Sequence, residues 1–343
     1  MISFLIRFFF ILILVFSCQI HCPEVIKPII PFDFSKTVVT KPGFSYYFDA
    51  IDFPTNQVGY ISGINGVILK TTDGGNNFYV NNLLSIFQIR DIDFLNENFG
   101  VAAGSDKKIF ITENGATSWT NVAIPDSAVD IDRVIVISPN EFYLMGGNYR
   151  NYGVVYHTLN QGTTWNNIFT PLGNFAYDLE MLSNGKWIVP TGNSKIWYSL
   201  NKGASWQEST IEWDGSDTTN ILLGDIKMIN NDIGYSCGAN QSATESFVLK
   251  TTDGGLNWKK LNIPSTPNLE KDYFFSIYTL NDKEVFVAGG LFISNTSRLM
   301  YSPDAGLTWQ IDSTFLNSKY IKEIVVKNGV LYGVGQNGLL FSK

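Results

Sequence analysis

Beyond the first 17 residues the chain carries four arginines, Arg90, Arg133, Arg150 and Arg298. A guanidinium fork is suited to gripping carboxylates, and Tyr149 and Tyr152 flank Arg150 as rings able to stack on a sugar or a peptide. Asp49, Asp132, Asp178 and Asp225 are a second set with potential chemistry, because paired carboxylates are the equipment of glycoside hydrolysis. The acidic turn "KTTDGGNNF" (70–78) poses a third question, since it returns as "KTTDGGLNW" at 250–258. Nucleophilic and zinc chemistry lack their parts. His157 occupies a place that sister segments fill with Lys70, Ile111, Tyr198, Lys250 and Tyr301, and His21 lies in the N-terminal segment. No metal and no cofactor is expected.

The acidic turn has six copies. "TTDGGNNF" (71–78) is matched by "TENGATSW" (112–119), "TLNQGTTW" (158–165), "SLNKGASW" (199–206), "TTDGGLNW" (251–258) and "SPDAGLTW" (302–309), whose first residues are spaced by 41, 46, 41, 52 and 51. Asp73, Asp253 and Asp304 alternate with Asn114, Asn160 and Asn201 at the same place. That exchange keeps an acceptor and drops the charge, as a turn cap tolerates and a catalytic acid does not. Recurrence in equivalent units also keeps these residues from sharing one active site, so the turns are expected to be structural.

Around each turn the same pattern recurs: strand, polar turn, strand ending in Gly, loop, third strand, acidic turn, fourth strand. "AIDFPTNQVGYISG" (50–63) and "DIDFLNENFGVAAG" (91–104) align without gaps. Four antiparallel strands per 40–50 residues predict propeller blades. Blades are expected at about 48–80, 89–124, 132–170, 176–212, 224–263 and 274–312, with a seventh at 320–343 completed by the β-branched segment 35–41. The fold class is therefore all-β: a seven-bladed β-propeller of four-stranded antiparallel blades, its last blade closed by an N-terminal strand.

The turns resemble the Asp box of bacterial neuraminidase repeats. "GINGVILKTTDGGNNF" (63–78) is similar to the repeat of the seven-bladed photosystem II assembly factors and their bacterial relatives. The resemblance covers about residues 35–343. It implies the propeller fold and, by analogy, a scaffold that holds partner polypeptides. A sialidase-like activity is less well matched, because no "RIP"-type segment precedes the first blade.

Composition agrees with a folded domain rich in short strands: 45% hydrophobic residues, 14% aromatic, 16% charged and 30 Gly in 343 residues. A net charge of −7 without a basic run excludes nucleic acid as a partner. Residues 1–17 read as a lipoprotein-type signal peptide: Arg7, then the apolar run "FFFILILVF", then "LVFSC", which resembles a lipobox ending at Cys18. Residues 18–34 would form a proline-containing tether after a lipidated Cys18. Cys237 is expected in the core.

Ligands are expected on the face formed by blade-linking loops and by loops between second and third strands, opposite the acidic turns. Long loops at 146–154, 237–247, 289–299, 211–220 and 264–274 raise one side of that face. Asp49, Arg90 and Arg133 are expected at equivalent places there, beside Tyr177, Gly224 and Phe275, with Tyr149, Arg150, Tyr152 and Arg298 on the rim. The expected function is that of a non-catalytic, monomeric cell-envelope lipoprotein that binds an envelope protein segment or a glycan. It would be lipid-anchored on the periplasmic side of the outer membrane. The alternative is a glycoside hydrolase acting at the axis.

Overall fold

The computed structural model describes residues 38–40, 46–84, 88–125, 129–148, 152–169, 171, 175–214, 221–240, 245–264, 273–291, 296–312 and 320–342. All belong to the unit Phe32–Lys343. The expected signal peptide, Cys18 and most of the tether precede them, and Tyr149 and Arg150 lie outside them.

Seven antiparallel sheets follow one another in chain order. Their first strands are Phe48–Asp52, Ile89–Phe94, Asp130–Val136, Glu180–Met181, Ile221–Met228, Tyr273–Thr279 and Ile321–Lys327. These strands line a common axial channel. The ring is closed where Val38–Thr40 pairs antiparallel with Leu340–Ser342, supplying the outer strand of the seventh sheet. Closure removes an edge that would otherwise expose unpaired N–H and C=O groups. The fifth blade departs from the expected pattern. Thr210–Glu212, expected to end the fourth blade, instead adds a parallel fifth strand to Asn257–Lys260, and Ser209 Oγ donates to the Gly255 carbonyl at 2.6 Å. The fourth blade's own outer strand is only Gln207–Glu208, which leaves the next residues available to cover their neighbour's edge.

An apolar cluster fills each of the seven seams between neighbouring blades. The seam between blades two and three packs Val101, Ile109 and Ile111 against Ile131, Val134 and Phe142. At the closure, Phe48, Ile51 and Leu69 meet Tyr332, Val334 and Leu340. Each buried side chain of this size contributes roughly 1.5–3 kcal/mol of transfer free energy. The blades are thus held to each other by the same kind of contact that forms a single core.

In the first acidic turn, Thr71 Oγ1 donates to Asp73 Oδ1 at 2.8 Å and accepts from the Gly75 amide at 3.0 Å. Asp73 Oδ1 accepts from the Asn77 amide at 2.9 Å, while Oδ2 accepts from Asn77 Nδ2 at 2.8 Å. The Asp/Asn exchange has a partner four residues on. Where Asp occupies the turn, that residue donates: Asn77, Asn257 or Thr308. Where Asn occupies it, its own Nδ2 donates to a hydroxyl: Ser118, Thr164 or Ser205. Hydrogen bonding to the ionised form, from Asn77 above all, holds the Asp73 carboxyl below its usual range. Asp73→Asn places two amides face to face and is expected to lower stability by about 1 kcal/mol, the worth of one such cap. Urea denaturation measures this; a loss of several kcal/mol would show that the carboxylate does more than cap its turn.

A glycine at or near the end of six second strands answers a steric need, Thr191 holding the place in blade four. A Cβ on Gly63, Gly104, Gly146, Gly238, Gly289 or Gly335 would come within 2.2 Å of a carbonyl oxygen in or just before the neighbouring first strand. Six equivalent glycines therefore let the first two strands approach beside a bulge in the first, where the register shifts by one residue.

Candidate functional site

The bulge sorts the residues of each first strand into two rings. Residues at the bulge are Asp49, Arg90, Asp132, Gly224, Phe275 and Lys322. In blade four the bridge Ala176↔Thr191 and the pair Glu180↔Ile188 put Tyr177 at the corresponding place. The residues just after the bulge are Ala50, Asp91, Arg133, Asp178, Asp225, Ser276 and Glu323. Arg133 is therefore not the equivalent of Asp49 and Arg90, as the sequence suggests. Asp132 takes that place, and Arg133 falls one residue deeper, in the channel.

Beyond this ring the channel, about 390 Å³ in volume, is lined by Asp52, Asp93, Glu180 and Lys227. Seven carboxyl groups and two cationic side chains thus face one narrow space. They gather there for a reason internal to the fold. The first strand of each blade has no neighbour on its axial side, so its outward N–H groups need acceptors. Side chains of the preceding blade, mostly carboxylates, supply acceptors for five of the blades, while Leu179 and Ile226 donate to Asp178 and Asp225 of their own strands. The Ile51 amide donates to Glu323 Oε2 at 2.7 Å, Phe94 to Asp52 Oδ2 at 2.9 Å, and Val134 to Asp91 Oδ2 at 2.7 Å. The Val136 amide donates to Asp93 Oδ2 at 2.6 Å, Ile277 to Asp225 Oδ2 at 2.8 Å, and Ile324 to Ser276 Oγ at 3.3 Å.

Arg133 is the hub of the channel. Its guanidinium lies 2.6 Å from Glu323, 3.3 Å from Asp225, 3.6 Å from Asp178 and 3.8 Å from Asp91, residues of four other blades. Burial opposes its charge, but Asp178, Asp91, Glu323 and Asp225 more than offset that and keep it protonated. One guanidinium cannot balance this many buried acids. Burial pushes Asp225 up to about 8, against the pull of Arg133 and reinforced by a hydrogen bond with Asp178. Burial and the nearby Asp93 push Asp52 up to about 8, and burial raises Asp93 to about 6. Lys227 pairs with Glu180 at 2.8 Å.

The bulge ring forms the mouth above this channel. Contacts pass from blade to blade around part of it. Lys322 Nζ sits 5.0 Å from the Phe275 ring centre; burial raises the Asp49 carboxyl to about 6 against the pull of Lys322, of a hydrogen bond from Gln88, and of Arg90. Arg90 Nη1 pairs with Asp132 at 2.8 Å and Nη2 with Asp130 at 3.2 Å. The remaining arc holds Tyr177, tilted against Phe175 at 5.1 Å, then Gly224, then Phe275, which stacks on Tyr273 at 5.8 Å and meets Tyr320 at 5.3 Å. The mouth lies opposite the acidic turns, which dock instead on the turns between first and second strands. The amides of Gly74, Gly115, Gly254 and Ala305 donate to the carbonyls of Gln57, Asn98, Asp232 and Lys283.

The other candidates are placed differently from one another. Tyr152 is half-buried against the seam of blades two and three, opposite Asn148. Arg298 is 3% exposed, on the third strand of blade six opposite Gly289, so it is a buried residue and not a guanidinium presented on the rim. Glu245, a possible arginine partner by sequence, pairs with Lys260. His157 stacks on Tyr143 and contacts Glu141 at 3.1 Å. Asp178 and Asp225 are in hydrogen-bond contact, closer than the roughly 5–9.5 Å that hydrolytic carboxyl pairs keep to admit a sugar or water. Among the described residues, no three His, Cys, Asp or Glu converge as a metal set would. Sequence reasoning missed Asp52, Asp93, Glu180 and Glu323. The signal was available: "DID" places two acids on the same face of a strand, two residues apart.

No family profile matches the chain. It is 23% identical over 277 residues to the photosystem II assembly lipoprotein Ycf48 of Synechococcus sp. (strain CC9902), covering 76% of this chain and 74% of that protein. The solved structure of YCF48 bound to D1 peptide superposes with a TM-score of 0.69 at 17% identity, over 90% of this chain and 97% of that one. An ancestral GH74 enzyme shares the fold at a TM-score of 0.66 and 14% identity, with this chain spanning 46% of its length. By sequence and by fold, this seven-bladed propeller is similar to the photosystem II assembly proteins along most of its length.

Proposed function

We propose that the chain is a non-catalytic scaffold that holds a protein segment on the propeller mouth formed by Asp49, Arg90, Asp132, Tyr177, Gly224, Phe275 and Lys322. The observation that carries this reading is the division of labour along the axis. Below the mouth, the carboxylates cap backbone amides and hold Arg133, which occupies them structurally. At the mouth, Arg90, Asp132, Tyr177, Phe275 and Lys322 are only partly buried, while Asp49 is buried among them. The YCF48 structure with its D1 peptide supports the protein-segment reading by analogy. The leader and Cys18 support placing the scaffold in a bacterial envelope, lipid-anchored on the periplasmic side of the outer membrane.

A photo-crosslinking experiment tests this in cells that make the protein. p-Benzoylphenylalanine at Tyr177, a conservative replacement at the mouth, is expected to capture a polypeptide. The same residue at Leu307, 81% exposed in an acidic turn on the other face, is expected to capture none. Equal capture at both positions, or adducts without polypeptide, would contradict the proposal.

A further inference from the structure

Gly224 is a glycine that the fold does not require. The second-strand glycines are forced by carbonyl oxygens within 2.2 Å of any Cβ, and others occupy left-handed backbone at positive φ. Gly224 has neither constraint. Among the described residues, the nearest atom to its Cβ would be the Phe274 carbonyl oxygen at 3.9 Å, an ordinary contact, and its φ is not in the left-handed range. A glycine within a strand is less stable than an alanine there, because the backbone gives up more freedom on folding. Here that cost has no steric or conformational return. All six equivalent positions carry side chains; Lys322 lies over the Phe275 ring, Arg90 pairs with Asp132, and Asp49 sits in the fields of both Lys322 and Arg90. The ring is therefore missing one side chain, between the aromatic residues of blades four and six.

From this we infer that Gly224 is the floor of a slot, walled by Tyr177 and Phe275, that receives one aromatic side chain of an extended peptide. The inference rests on the protein-segment reading and specifies what that segment must offer. An aromatic ring matches a gap the size of one absent side chain between rings, where stacked or edge-to-face contacts add to burial. The adjacent arc, with its alternating Lys322, Asp49, Arg90 and Asp132, suits the polar backbone and side chains flanking that ring. Tight peptide recognition of this form concentrates in one or two anchors.

The test uses a phage-displayed library of random peptides, about a dozen residues long, selected on the full-length chain. Enriched peptides are expected to share one aromatic residue. Replacing it by Ala, or making Gly224→Leu in the protein, is expected to weaken binding by at least about tenfold in fluorescence polarisation, without a further loss when the two are combined. The melting temperature of Gly224→Leu checks its folding; Tyr177→Ala and Phe275→Ala give the same readout should the leucine variant fail to fold. Peptides that bind wild type and all three variants alike would overturn the slot and leave the peptide reading standing. Absence of any enriched peptide, together with no polypeptide adduct at position 177, would overturn both. A glycan array that binds wild type but not Gly224→Leu would overturn the ligand class.

Discussion

Replacing Arg133 by Met is expected to lower stability at neutral pH by about 3–5 kcal/mol, the usual consequence of removing one partner from a buried charge cluster. The methionine approximates the length of the stem, so lost packing is small and lost charge dominates. Glu323, Asp225, Asp178 and Asp91 would face one another without a cation between them. They can escape only by taking up protons, so the deficit should shrink at pH 5 relative to pH 8. Urea midpoints of the two proteins at both values measure the effect. Equal midpoints at pH 8 would show that Arg133 is not the hub. A deficit that did not change with pH would assign the loss to packing.

The second large effect is a slope with an uncommon sign. Asp52 and Asp225 have folded-state values of about 8, and Asp49 and Asp93 of about 6, each above the ordinary 3.8. A group whose folded value is raised binds its proton more tightly in the folded state. Its contribution is complete below the unfolded value and is lost as pH rises through the folded one. Stability should therefore fall from pH 5 to pH 8, where most proteins hold level. The acidic turns act in the opposite sense. Asp73, Asp253 and Asp304 are held below 3.8 by hydrogen bonds, so their contribution disappears as pH drops beneath that value. Together these place the maximum near pH 4–5. Unfolding free energies across pH 3–9 test this, and Asp52→Asn should flatten the upper limb. A profile rising from pH 5 to 8 would contradict the protonation assigned to the channel.

The ring itself was readable because its signals are local and repeated. Six acidic turns, a glycine late in six of the second strands, and β-branched strands between them each state a piece of the blade, and their common period states the architecture. Even the closing strand followed from an edge that had to be covered. The site was harder for a geometric reason. A bulge inserts one residue into each first strand, and which residue it takes depends on the approach of a neighbouring strand, not on residue type. Reading along "DIDRV" without that knowledge puts Arg133 where Asp132 belongs, a slip of one residue that moves a guanidinium from the mouth into the channel. Arg298 illustrates the same limit, since a charged side chain in a strand gives no sign that it will be buried. Gly224 shows the converse: its place was legible in the sequence, but its meaning comes from the side chains at the six equivalent positions.

The amide caps that pass between blades in the channel run in one rotational sense. Glu323 serves the first blade, Asp52 and Asp91 serve the second and third, and Asp225 serves the sixth. Blades one, two, three, six and seven thus rely on their predecessor for a cap. Blades of this ring are consequently not exchangeable cassettes. One excised and grafted elsewhere, or duplicated in place, would arrive with a surplus acid and an uncapped strand, so lengthening or shortening the circle requires matched changes on both sides of the new joint.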